Sequence, residues 1–235
     1  MKKLLLLLAV SLMVFSACGK KDETTAIIPE EKETVTKEPE ATGPKHYTIE
    51  SAIITYEFDG MQTGTSTFYF DNYGARSASY ENLSTSYSGI QTGTNNNLMI
   101  LDAGWVYNID LNTNKGIKFQ NFLPDDIGDE EFTENVLARE LGSFGAGAKI
   151  EKLGTDEILG RTCEIMEVKK FGSKFCIWNN LILEMDMDLY GVKQHRVVTD
   201  IQENADIPEE KFMVPEGATV THDLNVENAV KMFGN

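Results

Sequence analysis

The fold class of this protein is decided by the stretch Leu181-Ile182-Leu183-Glu184-Met185-Asp186-Met187-Asp188-Leu189. Apolar and acidic residues alternate along most of it, and alternate side chains of a β-strand point to opposite faces of a sheet. The pattern predicts a strand whose apolar face carries Leu181, Leu183, Met185, Met187 and Leu189. The other face would carry Glu184, Asp186 and Asp188. Three carboxylates are suitable ligands for calcium, but one strand cannot surround an ion, so we interpret them as a solvated face without a metal.

Similar patterns predict strands on both sides of this stretch, which itself is expected to extend over 181–190. Ile54, Tyr56 and Phe58 alternate with polar residues, and the apolar runs 67–70 and 105–109 each lead into a turn rich in Asp, Asn and Gly. Further strands are predicted at 75–84, 98–102, 116–120, 161–169, 173–178 and 193–203.

One helix is predicted to interrupt the strands. Asp129 can cap its N-terminus, Gly142 can end it, and one apolar face is formed by Phe132, Val136, Leu137 and Leu141. A short second helix is predicted near the C-terminus from Val226, Ala229, Val230 and Phe233. Because helices do not alternate with strands, we expect a mainly β, antiparallel α+β fold rather than β-α-β units.

The N-terminus has the organisation of a bacterial secretory signal that ends in a lipidation site. Lys2 and Lys3 precede an apolar run over 4–15, which is shorter than the roughly 20 residues that span a bilayer. Ser16-Ala17-Cys18-Gly19 then resembles the lipobox of bacterial lipoproteins. We therefore expect a signal peptide at residues 1–17. We expect Cys18 to carry acyl chains, palmitate among them, and these chains to anchor the protein to the bacterial envelope, at the outer membrane.

Residues 18–45 are predicted to be an acidic, disordered tether, because Glu, Lys, Thr and Pro dominate and little apolar surface is present to offset the entropy of ordering. Lys20-Lys21-Asp22-Glu23 resembles the export signal of surface lipoproteins in Bacteroidota, but it is equally typical of a solvated linker. A periplasmic and a surface-facing location therefore both stay open. The net charge of −16 becomes −18 without Lys2 and Lys3, which argues against a nucleic-acid partner.

Residues 46–235 are expected to fold as a single domain, and this domain has no recognisable catalytic motif. His46, His195 and His222 share no metal-binding spacing, and no serine lies in a G-x-S-x-G sequence. The glycine-rich stretch 142–148 follows the predicted helix, whereas a phosphate-binding loop precedes one. We predict neither an enzyme nor a cofactor.

Cys163 and Cys176 are the cysteines that remain beside Cys18, and an oxidising compartment favours their pairing. A two-residue turn at 171–172 would leave them about 13 Å apart along the strands, beyond disulfide reach. A turn centred on 169–170 would place them opposite each other. A disulfide and a pair of buried thiols are therefore both compatible with the sequence.

The order of several segments resembles the LolA/LolB-like superfamily of periplasmic lipoprotein carriers and related uncharacterised lipoproteins. The resemblance covers most of residues 46–220. The segments that carry it are 68–76, 105–116, 147–149, 153–163, 176–183, 201–208 and 212–217. The resemblance implies a curved antiparallel half-barrel, with one or two helices packed on its concave side and an apolar interior able to hold acyl chains.

The leading functional hypothesis is therefore a membrane-anchored extracytoplasmic lipoprotein that binds an apolar ligand or acyl chain in a concave cavity. Candidate lining residues are Tyr56, Phe68, Tyr69, Trp105 and Tyr107. The alternative is a non-catalytic structural or protein-interaction module on the envelope surface, with an interior filled by its own side chains. The sequence does not predict the oligomeric state.

Overall fold

A computed structural model describes residues 45–87, 89–121, 149–189 and 191–226, which belong to one compact unit. These residues form one twelve-stranded sheet, and the predicted mainly β fold is confirmed. The strands are β1 (Ala52–Gly60), β2 (Gln62–Asp71), β3 (Arg76–Tyr87), β4 (Ile90–Asp102), β5 (Trp105–Asp110), β6 (Lys115–Gln120), β7 (Ile150–Ile158), β8 (Arg161–Val168), β9 (Ser173–Trp178), β10 (Leu181–Leu189), β11 (Val192–Glu203) and β12 (Thr219–His222).

The sheet consists of two antiparallel meanders that meet where β1 pairs with β11. Strands β1 to β6 form the first meander and β7 to β11 form the second. Strand β12 adds to the outer edge of β6 and is parallel to it. Within the described part of the chain the sheet does not close into a barrel, and its two edge strands are β12 and β7.

Two strands were not predicted because they lie at the edges of the sheet and bury little apolar surface. Strand β7 has no fully buried residue, so its sequence lacks alternating apolar residues. Its pairing with β8 also shifts in register between Lys152 and Gly154. Strand β12 is only four residues long. Edge strands are commonly short or irregular, which limits their pairing with other chains.

Helical structure is scarce among the described residues. It comprises 3-10 turns at Asn72–Gly74 and Glu209–Phe212, and residues 224–226. Of the short C-terminal helix predicted from the sequence, Val226 lies in this last segment, whereas Ala229, Val230 and Phe233 lie outside the described residues. The Asp223 carboxylate caps that last segment by accepting hydrogen bonds from the backbone N–H groups of Asn225 and Val226 at 2.8 and 3.1 Å. The predicted helix at 129–142 lies outside the described residues. No helix in the described part of the chain is long and apolar enough to cross a membrane.

Strand β10 departs from the single apolar face expected of it. Its pairing with β9 shifts between Ile182 and Glu184, so two residues of β10 face one residue of β9. Such a bulge reverses the side-chain alternation. Leu181 and Leu183 consequently pack in one apolar cluster, whereas Ile182 and Met185 pack in another. The prediction that the five apolar side chains share one face was therefore wrong.

The C-terminal segment 207–220 covers one face of the first meander. Ala78, Leu98, Ile100 and Ile109 form a buried cluster with Phe212 of this segment. The other apolar side chains that pack against the cluster are Tyr69, Tyr80, Tyr107, Leu111, Ile207, Val214, Ala218 and Val220. This face of the sheet is therefore filled by the protein's own side chains.

Polar contacts hold the C-terminal segment in place. The Arg76 guanidinium pairs with Asp71 beside it and with Glu209 of the segment, at 2.5 and 2.6 Å, and lies 4.3 Å from the centre of the Phe212 ring. The hydrogen bond to Asp71 raises the pKa of Arg76 further above its ordinary value. The Tyr80 hydroxyl donates to a backbone carbonyl of the same segment at 3.1 Å, and burial raises its pKa.

Cys163 on β8 and Cys176 on β9 form a disulfide, with their Cα atoms 5.3 Å apart. The register pairs Val168 with Ser173, so the connecting turn spans residues 169–172 and lies between the two turns considered from the sequence. Cys176 pairs with Ile165, two residues from Cys163 and on the same face of the sheet. The cysteines therefore meet diagonally across the hairpin, and neither of the two expected turns was correct.

Candidate functional site

A cavity of about 540 Å³ is the candidate functional site. It lies against the face of the first meander that the C-terminal segment does not cover. Its apolar lining comprises Tyr47, Tyr56, Phe58, Phe68, Met99, Leu101, Val106, Phe119, Leu181 and Ile182. Its polar lining comprises His46, Ser66, Ser77, Ser79, Glu81, Gln120, Asn121, Asn180 and Arg196.

Small side chains on β3 create the space between two apolar walls. Ser79 lies opposite Phe68 of β2 on one side and Met99 of β4 on the other. One pleat further along, Ser77 pairs in the same way with Phe70 and Leu101. A row of serines flanked by large apolar side chains leaves a groove, because directly opposite side chains in a sheet lie side by side.

The next strands continue the apolar wall. Leu101 of β4 pairs with Val106 of β5, which in turn pairs with Phe119 of β6. All three side chains line the cavity and are only partly buried. The wall therefore presents a continuous apolar row across three strands, from Leu101 to Phe119.

Tyr47 lies over the 3-10 turn that follows β2, where it contributes to the cavity lining. Its ring centre is 4.4 Å from that of Phe70 and 6.1 Å from that of Phe68. A Cβ atom at Gly74 would lie 2.6 Å from the Tyr47 ring, and Gly74 has a positive φ of +89°. Glycine is required at this position both for its backbone conformation and for the close approach of the tyrosine.

Arg196 is a cationic residue of the lining. It lies opposite Phe58 of β1 and Met185 of β10, and its guanidinium carbon is 5.1 Å from the centre of the Tyr56 ring. This distance is within the range of a cation–π contact. The cavity thus combines apolar walls with polar groups, and small-molecule sites also contain both.

Two of the five aromatic residues proposed from the sequence line the cavity, namely Tyr56 and Phe68. Tyr69 lies on the opposite face of β2, where its ring packs edge-on against Tyr80 at 5.6 Å. Tyr107 packs against the covered cluster, and Trp105 packs against the His222 ring at 5.4 Å. The lining prediction was wrong for Tyr69, Trp105 and Tyr107 because adjacent strand residues point to opposite faces.

The sequence did not predict the aromatic lining residues Tyr47, Phe58 and Phe119. It also did not predict the non-aromatic ones, chiefly Ser77, Ser79, Met99 and Leu101. The alternation of Ser77 and Ser79 with Ala78 and Tyr80 is a usable signal, since it separates a small polar face from an apolar one. It does not indicate which side chains lie beside the serines, because that depends on the register with β2 and β4.

Comparisons with known proteins give structural likeness alone. No family model matches the sequence, and no curated protein matches it. An uncharacterised conserved protein from Thermus thermophilus matches with a TM-score of 0.48 and 10% identity, over 75% of this chain and 92% of that chain. The Pseudomonas aeruginosa MucA/MucB complex matches with a TM-score of 0.39 and 12% identity, over 70% of this chain and 56% of that chain. The Mycobacterium tuberculosis lipoprotein LppX matches with a TM-score of 0.30 and 10% identity, over 68% of this chain and 90% of that chain. These values carry no conclusion about function.

Proposed function

We propose that this protein is a lipid-anchored, extracytoplasmic lipoprotein whose domain binds an apolar ligand, such as an acyl chain, in the cavity. The single observation that carries the proposal is the cavity of about 540 Å³ with its row of apolar side chains. Its volume falls within the roughly 300–1,000 Å³ of small-molecule sites. An apolar occupant would gain roughly 25 cal/mol for each Å² of apolar surface removed from water.

The two faces of the first meander support this proposal by their contrast. Leu98 and Ile100 are fully buried on the face that the C-terminal segment covers, whereas Met99 between them is 43% exposed on the cavity face. Leu101, Val106 and Phe119 on the cavity face are likewise only partly buried. Exposed apolar side chains in a concave site are typical of ligand binding.

The proposed location rests on two features of the chain. Cys18 lies in the lipobox-like sequence, and two or three acyl chains on it would hold the protein to the envelope without a spanning helix. The disulfide between Cys163 and Cys176 is the kind of bond that persists in an oxidising compartment. Both features agree with a domain outside the cytoplasm.

Native mass spectrometry of the full chain, purified from its own membrane in mild detergent, tests the binding proposal. We expect a mass increment above that of the acylated protein, which organic extraction removes and which identifies an apolar compound. Repeated preparations that carry no extractable compound, and that take up no added fatty acid, would contradict the proposal.

The anchor is tested separately by Cys18→Ala. We expect this variant to lose incorporation of a labelled fatty acid and to leave the membrane fraction, while the cavity keeps its ligand affinity. Undiminished labelling of the variant would refute lipidation at Cys18 and leave the binding proposal untouched.

An interaction module on the envelope surface is the second candidate, and one observation favours it. Tyr87 and Ile90 pair at the end of the β3–β4 hairpin and are 65% and 70% exposed. Exposed apolar side chains at a hairpin end can contact another protein. If no ligand is found, replacing both residues by serine and measuring cross-linking to envelope proteins decides whether this second function holds.

A further inference from the structure

Glu184, Asp186 and His195 form a side-chain cluster outside the cavity lining. Asp186 of β10 lies directly opposite His195 of β11, and Glu184 pairs with the β11 residue two positions further along, Val197. Glu184 and His195 are each about one third exposed, whereas Asp186 is 63% exposed. One potential ligand atom from each of the three residues lies within 4.8 Å of those from the other two.

The hydrogen bond between His195 and Asp186 orients the imidazole ring. Nδ1 is 2.8 Å from Asp186 Oδ1. Because an ionised carboxylate only accepts hydrogen bonds, Nδ1 carries a proton and donates it. In a neutral imidazole Nε2 then carries the lone pair. The Asp186 carboxylate thus orients the ring in the way that a carboxylate orients a metal-binding histidine.

The other side of the ring faces a second carboxylate. Nε2 lies 3.8 Å from Glu184 Oε1, which is too long for a hydrogen bond. Both atoms are electron-pair donors when the imidazole is neutral. Two such donors face each other favourably when a proton, a metal ion or a water molecule that donates to both lies between them.

We propose that His195 Nε2 and Glu184 Oε1 bind a divalent transition-metal ion of the zinc class, with Asp186 as the positioning residue. Bonds of about 2.0–2.2 Å to nitrogen and oxygen place two ligands roughly 3.4 Å apart at a tetrahedral angle. The observed 3.8 Å reaches that value through a side-chain adjustment of a few tenths of an ångström. Water completes the coordination, since the cluster is accessible to solvent.

The surrounding charges and the donor types agree with this ion. Asp59 of β1 lies opposite His195, and Lys174 of β9 lies opposite Asp186, so three carboxylates and one ammonium group lie near the ring. The net charge of the chain, −16, also raises the local concentration of cations. An imidazole ligand suits zinc rather than calcium or magnesium, which prefer oxygen ligands alone.

The strand β10 carboxylates were interpreted from the sequence as a solvated face, because one strand cannot surround an ion. The register with β11 supplies the missing donor from a second strand. Asp188, the third carboxylate of that pattern, instead accepts a hydrogen bond from the backbone N–H of Gly191 at 2.7 Å. The proposed site therefore uses two of the three carboxylates and a histidine 11 residues from Glu184 in the sequence.

Zinc titration of the full-length chain in detergent, with any purification tag removed, tests the site. The protein has three histidines, so imidazole ¹⁵N resonances identify the ligand directly. We expect zinc to shift the Nε2 resonance of His195 and to leave those of His46 and His222 in place. We expect His195→Ala and Glu184→Gln each to weaken zinc binding at least tenfold, while the control His222→Ala leaves it unchanged.

Asp186→Asn separates a positioning role from direct ligation. Loss of an orienting partner typically weakens metal binding by roughly 10–100-fold. We expect a loss in that range, with the zinc-induced shift still at His195 Nε2. The proposal is overturned if zinc does not bind, if it binds equally well to His195→Ala, or if it shifts His46 or His222 instead.

Discussion

The two faces of the first meander differ in what covers them, although they are built from the same strands. On one face, Leu98 and Ile100 are fully buried beneath the C-terminal segment, whose Phe212 completes the cluster. On the other, Met99 and Leu101 line a cavity together with the serines of β3. In β4, alternation determines which residues share a face, and the covering segment buries Leu98 and Ile100 while Met99 stays partly exposed.

The contrast also assigns different roles to neighbouring residues. Side chains on the covered face contribute to the free energy of unfolding, because removing them leaves a void. The partly exposed side chains on the cavity face, such as Met99, are expected to contribute to ligand affinity instead. Adjacent residues of one strand therefore serve as matched probes of stability and of binding.

Leu98→Ala is expected to have the largest effect on stability. Leu98 is fully buried, so its truncation should lower the free energy of unfolding by about 2–5 kcal/mol. Met99→Ala, one residue further along, should lower it by under about 1 kcal/mol, because Met99 is 43% exposed. Urea denaturation of the two variants measures the difference. Equal losses would mean that the two faces are not distinct.

Removal of the disulfide should have the next largest effect and should not depend on either face. Cys163 and Cys176 are separated by 13 residues, and closing a loop of that size stabilises a protein by about 3 kcal/mol. We expect Cys163→Ser/Cys176→Ser to show that loss in urea denaturation with little change in ligand affinity. Thiol alkylation provides the check, since the unreduced wild-type protein should label at neither position.

The turn after β5 should give the smallest effect, and it depends on pH. The Asp110 carboxylate accepts hydrogen bonds from the backbone N–H groups of Asn112 and Thr113, at 2.8 and 3.3 Å. The bond from Asn112 holds the pKa of Asp110 below its ordinary value of 3.8. The ionised Asp110 carboxylate therefore stabilises the protein fully above its ordinary pKa. This stabilisation is lost as the pH falls through the lower pKa of the folded state.

Asp110→Asn tests this dependence. We expect the variant to be slightly less stable than the wild type at pH 7 and to approach it as the pH falls below 3.8, when the wild-type carboxyl is protonated. Urea midpoints of both proteins across this range provide the measurement. A difference that stays constant with pH would show that the Asp110 charge does not stabilise the turn.

Much of the fold could be predicted from local patterns. Strands β8 to β11 were predicted within about two residues of their bounds, because each combines alternation with a turn signal. Strand β4 was predicted only over its last residues. Its N-terminal half, from Ile90 to Asn97, is polar and largely exposed, so it carries no apolar signal.

The long-range features could not be predicted in the same way. The bulge in β10, the diagonal position of Cys176 and the pairing of Asp186 with His195 all depend on register, which sequence alternation does not fix between particular strands. The same limit applies to the cavity, since Ser79 creates space only because Phe68 and Met99 lie beside it.

Titration of a fluorescent fatty acid into the wild type, Ser79→Phe and Ser84→Phe tests the central claim most directly. Ser79 lines the cavity between Phe68 and Met99. Ser84 is an odd number of residues further along β3, so it lies on the other face of the strand, and it is not a lining residue. We predict saturable binding to the wild type and to Ser84→Phe, and at least tenfold weaker binding to Ser79→Phe. Equal affinity in all three proteins, with all three folded, would contradict ligand binding in this cavity.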